Sequence, residues 1–282
     1  MKPTSGLSDG VQFAALWEGM ERIRRAIRER RIVLLFLDFD GTLVPITDRP
    51  FAIVIPPSVQ QMLAMIHNHP QAKVAVVSGR DLADLRPRVG VEELAYAGNH
   101  GLEMSGPGWE FVEPRADRLR GHLAQLLTEV ADEVRRVPGA WVQNKDLSAS
   151  VHYRDVAVEH HAELQQILAA HVSSAPHHGV FILRSGKMVL EIRPNIAWHK
   201  GTAIDWLTPR LAPTANEPLR IVLGDDTTDE DAFQHAAEGV TILVGRSDRY
   251  STARYRLESP DRVAAFLAWL QRELSISAVV GP

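Results

Sequence analysis

The chain of 282 residues contains no cysteine, which excludes disulfides, thiolate metal centres and a cysteine nucleophile together. It has no long hydrophobic run. The longest uninterrupted one covers residues 32–37, far short of the about 20 residues that cross a bilayer, so no membrane partner is expected. Over residues 1–30 the charges of Glu18, Glu21, Arg22, Arg24 and Arg25 break up every apolar stretch. No secretion signal is expected there, and the expected location is cytoplasmic. Charge of one sign is not in excess either: 31 Lys plus Arg stand against 35 Asp plus Glu, a net −4. That leaves no basic footprint for nucleic acid. Internal repeats and low-complexity blocks are missing too, which argues against solenoids and linkers.

What is present is enough apolar material to bury a core, at 45% of the residues. Residues 11–30 predict an amphipathic helix, because Phe13, Leu16, Trp17, Met20, Ile23 and Ile27 recur at helical spacing. Short apolar runs at 32–37, 73–77, 94–97, 220–223 and 240–244 have the length and character of strands buried on both faces. Helical stretches at 58–67, 82–86, 200–207, 229–237 and 263–273 alternate with them. This order predicts an α/β fold, a parallel Rossmann-like sheet with helices on both faces. The middle of the chain reads differently. Residues 101–108 hold three glycines and Pro107 and suggest a hinge. Helices are expected at 114–137 and 156–172, and hairpin strands at 141–145 with 148–154 and at 180–184 with 188–192, the second turning at Ser185-Gly186. The division expected is core over 1–105 and 194–282, interrupted by a small α+β cap over 106–193. In the cap, alternation places Lys187, Val189 and Glu191 on one face and Met188, Leu190 and Ile192 on the other. Ser150, His152 and Arg154 share a polar face in the same way. The histidine pairs 160–161 and 177–178 are expected at the surface.

Four polar clusters stand where core strands end or a core helix begins: Asp38 with Asp40, Ser78, Lys200, and Asp225 with Asp226 and Asp229. Ligand sites of open α/β sheets lie beyond the carboxyl ends of the strands. A lone Asp-x-Asp is a weak signal. A buried strand that delivers Asp-x-Asp-Gly-Thr, with Ser-Gly-Arg after a second strand and Gly-Asp-Asp after a third, is a specific one.

With these clusters the chain resembles the haloacid dehalogenase superfamily of phosphotransferases. Asn99-His100-Gly101, Asn144-Lys145, the stretch 150–154, Glu191-Ile192-Arg193-Pro194 and the acidic run 225–231 narrow the resemblance to trehalose-6-phosphate phosphatases. The resemblance implies hydrolysis of trehalose 6-phosphate through an aspartyl-phosphate, with Asp38 as nucleophile and Asp40 as general acid and base. It implies Mg²⁺, held by Asp38, the backbone carbonyl of Asp40 and Asp225, with Asp229 beside it. Lys200 would offset charge on the nucleophile and phosphate, and Ser78 and Thr42 would hydrogen-bond the phosphate. The substrate readers implied are His100, Glu103, Gln143, Arg154, Lys187 and Glu191. The partner implied is a small sugar phosphate, supplied by a separate trehalose-6-phosphate synthase. Gln143 departs from the family pattern, where glutamate is expected, and leaves the exact sugar open. Three alternatives stay open at this point: a phosphatase for sucrose phosphate, glucosylglycerol phosphate or another sugar phosphate, a phosphohexomutase, and a non-catalytic sugar-phosphate sensor.

Overall fold

Runs of consecutive apolar residues set the architecture, since a strand with no polar alternation must be covered on both faces. In the computed structural model, which describes residues 16–29, 31–47, 52–246 and 249–279, the chain begins with α1 (Leu16–Arg28), β1 (Val33–Leu37), α2 (Pro57–Asn68), β2 (Ala72–Val77), α3 (Leu82–Val89) and β3 (Ala95–Gly98). It continues through β4 (Glu103–Gly106), β5 (Trp109–Val112), α4 (Pro114–Arg118), α5 (Arg120–Arg135), β6 (Trp141–Asn144), β7 (Ala149–His152), α6 (His161–Ser173), β8 (Phe181–Gly186) and β9 (Val189–Pro194). The last part is α7 (Lys200–Leu211), β10 (Leu219–Gly224), α8 (Glu230–His235), β11 (Val240–Val244), β12 (Tyr255–Leu257) and α9 (Pro260–Val279).

The large sheet has the order β12-β11-β10-β1-β2-β3-β4-β5. It is parallel from β12 to β3 and antiparallel at β4 and β5. Every residue of β1 and β11 is buried. Along β1 the side chains alternate: Leu35 and Leu37 pack with Ile23 of α1, Leu63 of α2 and Phe266 of α9. Leu34 and Phe36 pack on the other face with Ile204 of α7 and Phe233 of α8. The small sheet is antiparallel, in the order β6-β7-β9-β8. Val151, Leu190 and Ile192 face α5 and α6 through Leu126, Val130, Leu164 and Leu168. Its other face is polar.

Several expectations are corrected. The stretch 101–108 is no hinge: its glycines shape the entry to β4 and the turn to β5, and both strands extend the large sheet. A division at residue 105 would therefore cut through this hairpin. The second small-sheet hairpin turns at Lys187-Met188, not at Ser185-Gly186, because β8 continues through Gly186. Met188 takes a left-handed φ of 60°, so alternation does not reach Lys187, which stands at the tip. His177 is fully buried, and its Nε2 lies 2.9 Å from Glu129 Oε2, whereas His178 is exposed. Phe13, assigned to the first helix, falls outside the described residues.

Two connections join the sheets, after β5 and after β9. The segment after β9 is fastened to β5, where Trp198 stacks on Phe111 with ring centroids 5.6 Å apart and planes at 25°. Trp198 Nε1 also donates to the Gly101 carbonyl at 2.7 Å. Among the described residues no helix is long and apolar enough to cross a membrane.

Candidate active site

Parallel pairing brings three polar strand ends together. Leu37 is level with Val76 on one side and Leu223 on the other, so Asp38, Ser78 and Asp225 leave the sheet as near neighbours at its carboxyl edge. Lys200 arrives as the first residue of α7, where the His199 ring caps the helix by accepting from the Thr202 amide. Its ammonium donates at 2.7 Å to Asp38 Oδ1 and at 2.7 Å to Asp229 Oδ1. The other oxygen of Asp229 accepts from the amides of Asp225 and Asp226, at 3.0 Å each.

Asp38, Asp225 and Asp229 offer carboxylate oxygens that all lie within 4.8 Å of one another. The donor set is all oxygen, which suits a hard divalent cation such as Mg²⁺. Gly41 helps to form it. Its φ is +84°, and a Cβ there would collide with the Asp225 carboxylate, so only glycine admits that close approach. Burial pushes the Asp38 carboxyl up, with Lys200 opposing and Asp229 and Asp225 adding to the rise. Asp225 is pushed up to about 6, by burial first, against the pull of Lys187. Burial works against the charge of Lys200, but Asp229 and Asp38 outweigh it and raise its pKa. The cluster is thus rich in negative charge that one buried ammonium only partly balances.

Asp40 is held differently. Arg80 grips both of its oxygens, at 2.7 and 2.8 Å, and extends to Asp84 at 2.6 Å. Ser78 is buried below it, with Oγ accepting from the Arg80 amide at 3.2 Å.

The polar face of the small sheet closes over these groups and leaves a cavity of about 240 Å³. Lys187, at the hairpin tip, donates to Asp225 Oδ2 at 2.6 Å. Glu191 faces two cations and an imidazole: Arg193 donates to one oxygen, Lys145 lies 3.4 Å from the other, and His100 Nε2 is 3.4 Å away. Burial alone would raise the Glu191 carboxyl, but His100, Lys145 and Arg193 take it well below the usual carboxylate range. The His100 ring is pushed down to about 4, by burial first and then by Arg193. Gln143 Oε1 pairs with His152 Nε2 at 2.9 Å, and the His152 ring stacks on Trp141 with centroids 3.9 Å apart. Burial and the nearby Lys145 push His152 down to about 4 as well.

The sheets are also joined behind the cavity, where Asn99 and His100 both take left-handed φ values, 49° and 59°. Asn99 Nδ2 donates to the Lys145 carbonyl at 3.0 Å, and Ser148 Oγ donates to Asn99 Oδ1 at 2.5 Å. Two adjacent non-glycine residues in this region are held only by such surrounding contacts.

Of the residues singled out from sequence, the cavity wall includes Asp38, Asp40, Ser78, His100, Gln143, Arg154, Lys187, Glu191, Lys200 and Asp225. Three are not brought to it. Thr42 is fully buried below the loop after β1. Glu103 faces the turn instead, accepting from the Leu82 amide and Asn99 Nδ2 at 3.0 and 2.7 Å. Asp229 stands behind Lys200 and the 225–226 backbone. Arg80, Lys145, Ser150 and Arg193 line the cavity but were not assigned from sequence. For Ser150 and Arg193 the signal was available, in the faces shared with His152 and with Glu191; for Lys145 it required the pairing of β7 with β9.

Comparison with known proteins agrees with this geometry. The family model described as trehalose-phosphatase matches residues 36–261. A trehalose-phosphate phosphatase of Mycobacterium marinum is 36% identical over 277 residues, covering 96% of this chain and 67% of that protein. An uncharacterized glycosyl hydrolase of Mycobacterium tuberculosis is 40% identical over 261 residues. That match takes in 90% of this chain, which spans only 19% of that relative's length. Among solved structures, the C-terminal domain of the Candida albicans trehalose-6-phosphate phosphatase superposes with a TM-score of 0.76. It is 21% identical, covering 94% of this chain and 99% of that one, and it supports the fold.

Proposed function

Because the chain belongs to the trehalose-phosphatase family, we propose that it hydrolyses trehalose 6-phosphate to trehalose and phosphate. The observation that carries this reading is the set Asp38, Lys200 and Asp225 at one cavity floor, with the polar face of a second sheet as its roof. Under this reading an oxygen of Asp38 attacks phosphorus, the bond to the sugar oxygen breaks, and an aspartyl-phosphate forms. Asp40 gives its proton to the departing sugar oxygen. Water then attacks phosphorus, Asp40 takes its proton, and Asp38 is released with inorganic phosphate. Lys200 balances charge on Asp38, and Ser78 stands ready to hydrogen-bond the phosphate. Asp229, whose oxygens hold Lys200 and the 225–226 amides, positions these groups. Mg²⁺ would be held by Asp38, Asp225 and the Asp40 carbonyl, and when bound would neutralise the phosphate charge that the carboxylates otherwise repel.

We assign residues 113–194 as a cap and the rest of the described chain as the core. His100, Gln143, Arg154, Lys187 and Glu191 are the cap-side and turn residues offered to the sugar. The reaction is placed in the cytoplasm, downstream of a separate synthase that makes the sugar phosphate. The test is phosphate release with Mg²⁺ across a panel of sugar phosphates. The highest kcat/KM is expected for trehalose 6-phosphate. A higher value for sucrose phosphate or glucosylglycerol phosphate would transfer the assignment to that sugar. Phosphate moved within a hexose would indicate a mutase, and absence of metal-dependent release from any of them would leave a sensor.

A further inference from the structure

Ser150 sits in the middle strand pair of the cap sheet, in a row that runs Gln143, Ser150, Glu191, Arg184 across the four strands. Its flanking strand residues, Ala149 and Val151, point the other way into the cap core. Ser150 lines the cavity and is 1% exposed, and its Oγ has no hydrogen-bond partner. Both neighbours in the row are satisfied. Gln143 pairs with His152, and Glu191 is held by Arg193 and Lys145. Among the described residues two other buried hydroxyls also lack partners, those of Thr42 and Ser105, but neither lines the cavity. A buried hydroxyl left unpaired is costly, and the cost is recovered when a ligand supplies the missing partner. The ligand group must both donate and accept to complement a serine set between an amide and a carboxylate, and a sugar hydroxyl does so.

On the function proposed above, we infer that Ser150 is a specificity-determining residue whose Oγ exchanges a hydrogen bond with a hydroxyl of the sugar. The test compares wild type with Ser150→Ala and, as a control, Ser105→Ala. Trehalose 6-phosphate kinetics, trehalose binding by calorimetry and thermal melting are measured for each. In Ser150→Ala, kcat/KM is expected to fall about tenfold, carried by KM, and trehalose binding to weaken by about the same factor. Its melting temperature should be equal to or above that of wild type, since no partner is lost in the free protein. Ser105→Ala should match wild type in kinetics and binding. Unchanged KM and trehalose affinity in Ser150→Ala would overturn the inference, as would a lowered melting temperature that tracks the kinetic loss. Wild-type turnover in the same assay reports separately on the proposed function: an active wild type with an unaffected Ser150→Ala defeats this inference alone, whereas an enzyme inactive on every sugar phosphate defeats both.

Discussion

Lys187, at the tip of the cap hairpin, donates to Asp225, at the end of β10, across 2.6 Å. A cap ammonium thus occupies a carboxylate assigned to the metal. Replacing it should help a cation and harm a sugar. Lys187→Met is expected to bind Mg²⁺ about fivefold more tightly, since a competing positive charge is gone. The same variant should lose kcat/KM on trehalose 6-phosphate. Calorimetric titration with MgCl₂ and steady-state kinetics check the two halves independently.

Asp38→Asn keeps the shape of the nucleophile and removes its attacking charge. Turnover should fall by at least about a thousandfold, while the circular dichroism spectrum is retained. Phosphate release near the wild-type rate would reject Asp38 as the nucleophile.

Lys200 joins two carboxylates that are themselves buried. Lys200→Met leaves both without their cation, and a loss of about 3–5 kcal/mol in stability is expected, as for other broken buried pairs. Denaturant unfolding measures it. Restoring stability by adding Mg²⁺ to the variant would be direct evidence that the cation and the ammonium share the same charge-balancing task.

The Asp225 carboxyl, raised to about 6, gives metal binding a pH dependence of defined sign. Below about 6 it is protonated, and an incoming cation must displace that proton. Mg²⁺ affinity should therefore fall as pH falls below 6, by up to roughly tenfold per unit, and level off above it. Titrations at pH 5, 6 and 7 test this, with proton release at the lower values as a second signature.

His100 and His152 are both pushed down to about 4, so the folded state binds fewer protons there than the unfolded chain, whose histidines titrate near 6.5. Their contribution to stability is full above 6.5 and is lost as pH falls from 6.5 towards 4. The melting temperature should drop between pH 7 and pH 5, and by less in His152→Gln.

The core was legible in the sequence because its strands are unbroken apolar runs that end in acidic or hydroxyl residues, as at Leu37-Asp38 and Val77-Ser78. The parallel arrangement then forces those ends into one place. The cap was less legible for local reasons. Period-two counting fails at Met188, whose left-handed backbone shifts the phase and sends Lys187 to the tip. Glycines at 101, 106 and 108 look like flexibility, yet they serve a tight hairpin that widens the sheet. Lys145 gains meaning only through contact between elements, since it reaches Glu191 from the turn between β6 and β7, whereas Arg193 stands two residues from Glu191 on the same strand. His177 does lie in a loop, yet it is buried rather than at the surface, beside Phe181 and paired with a glutamate 48 positions earlier in the chain, a contact that no local pattern announces.

The stack of Phe111 on Trp198 joins the last core strand before the cap to the segment that follows the cap, and Trp198 is itself held to Gly101. The places where the chain leaves the core and re-enters it therefore stand side by side, and the cap's backbone is moored to the core at one spot rather than at two.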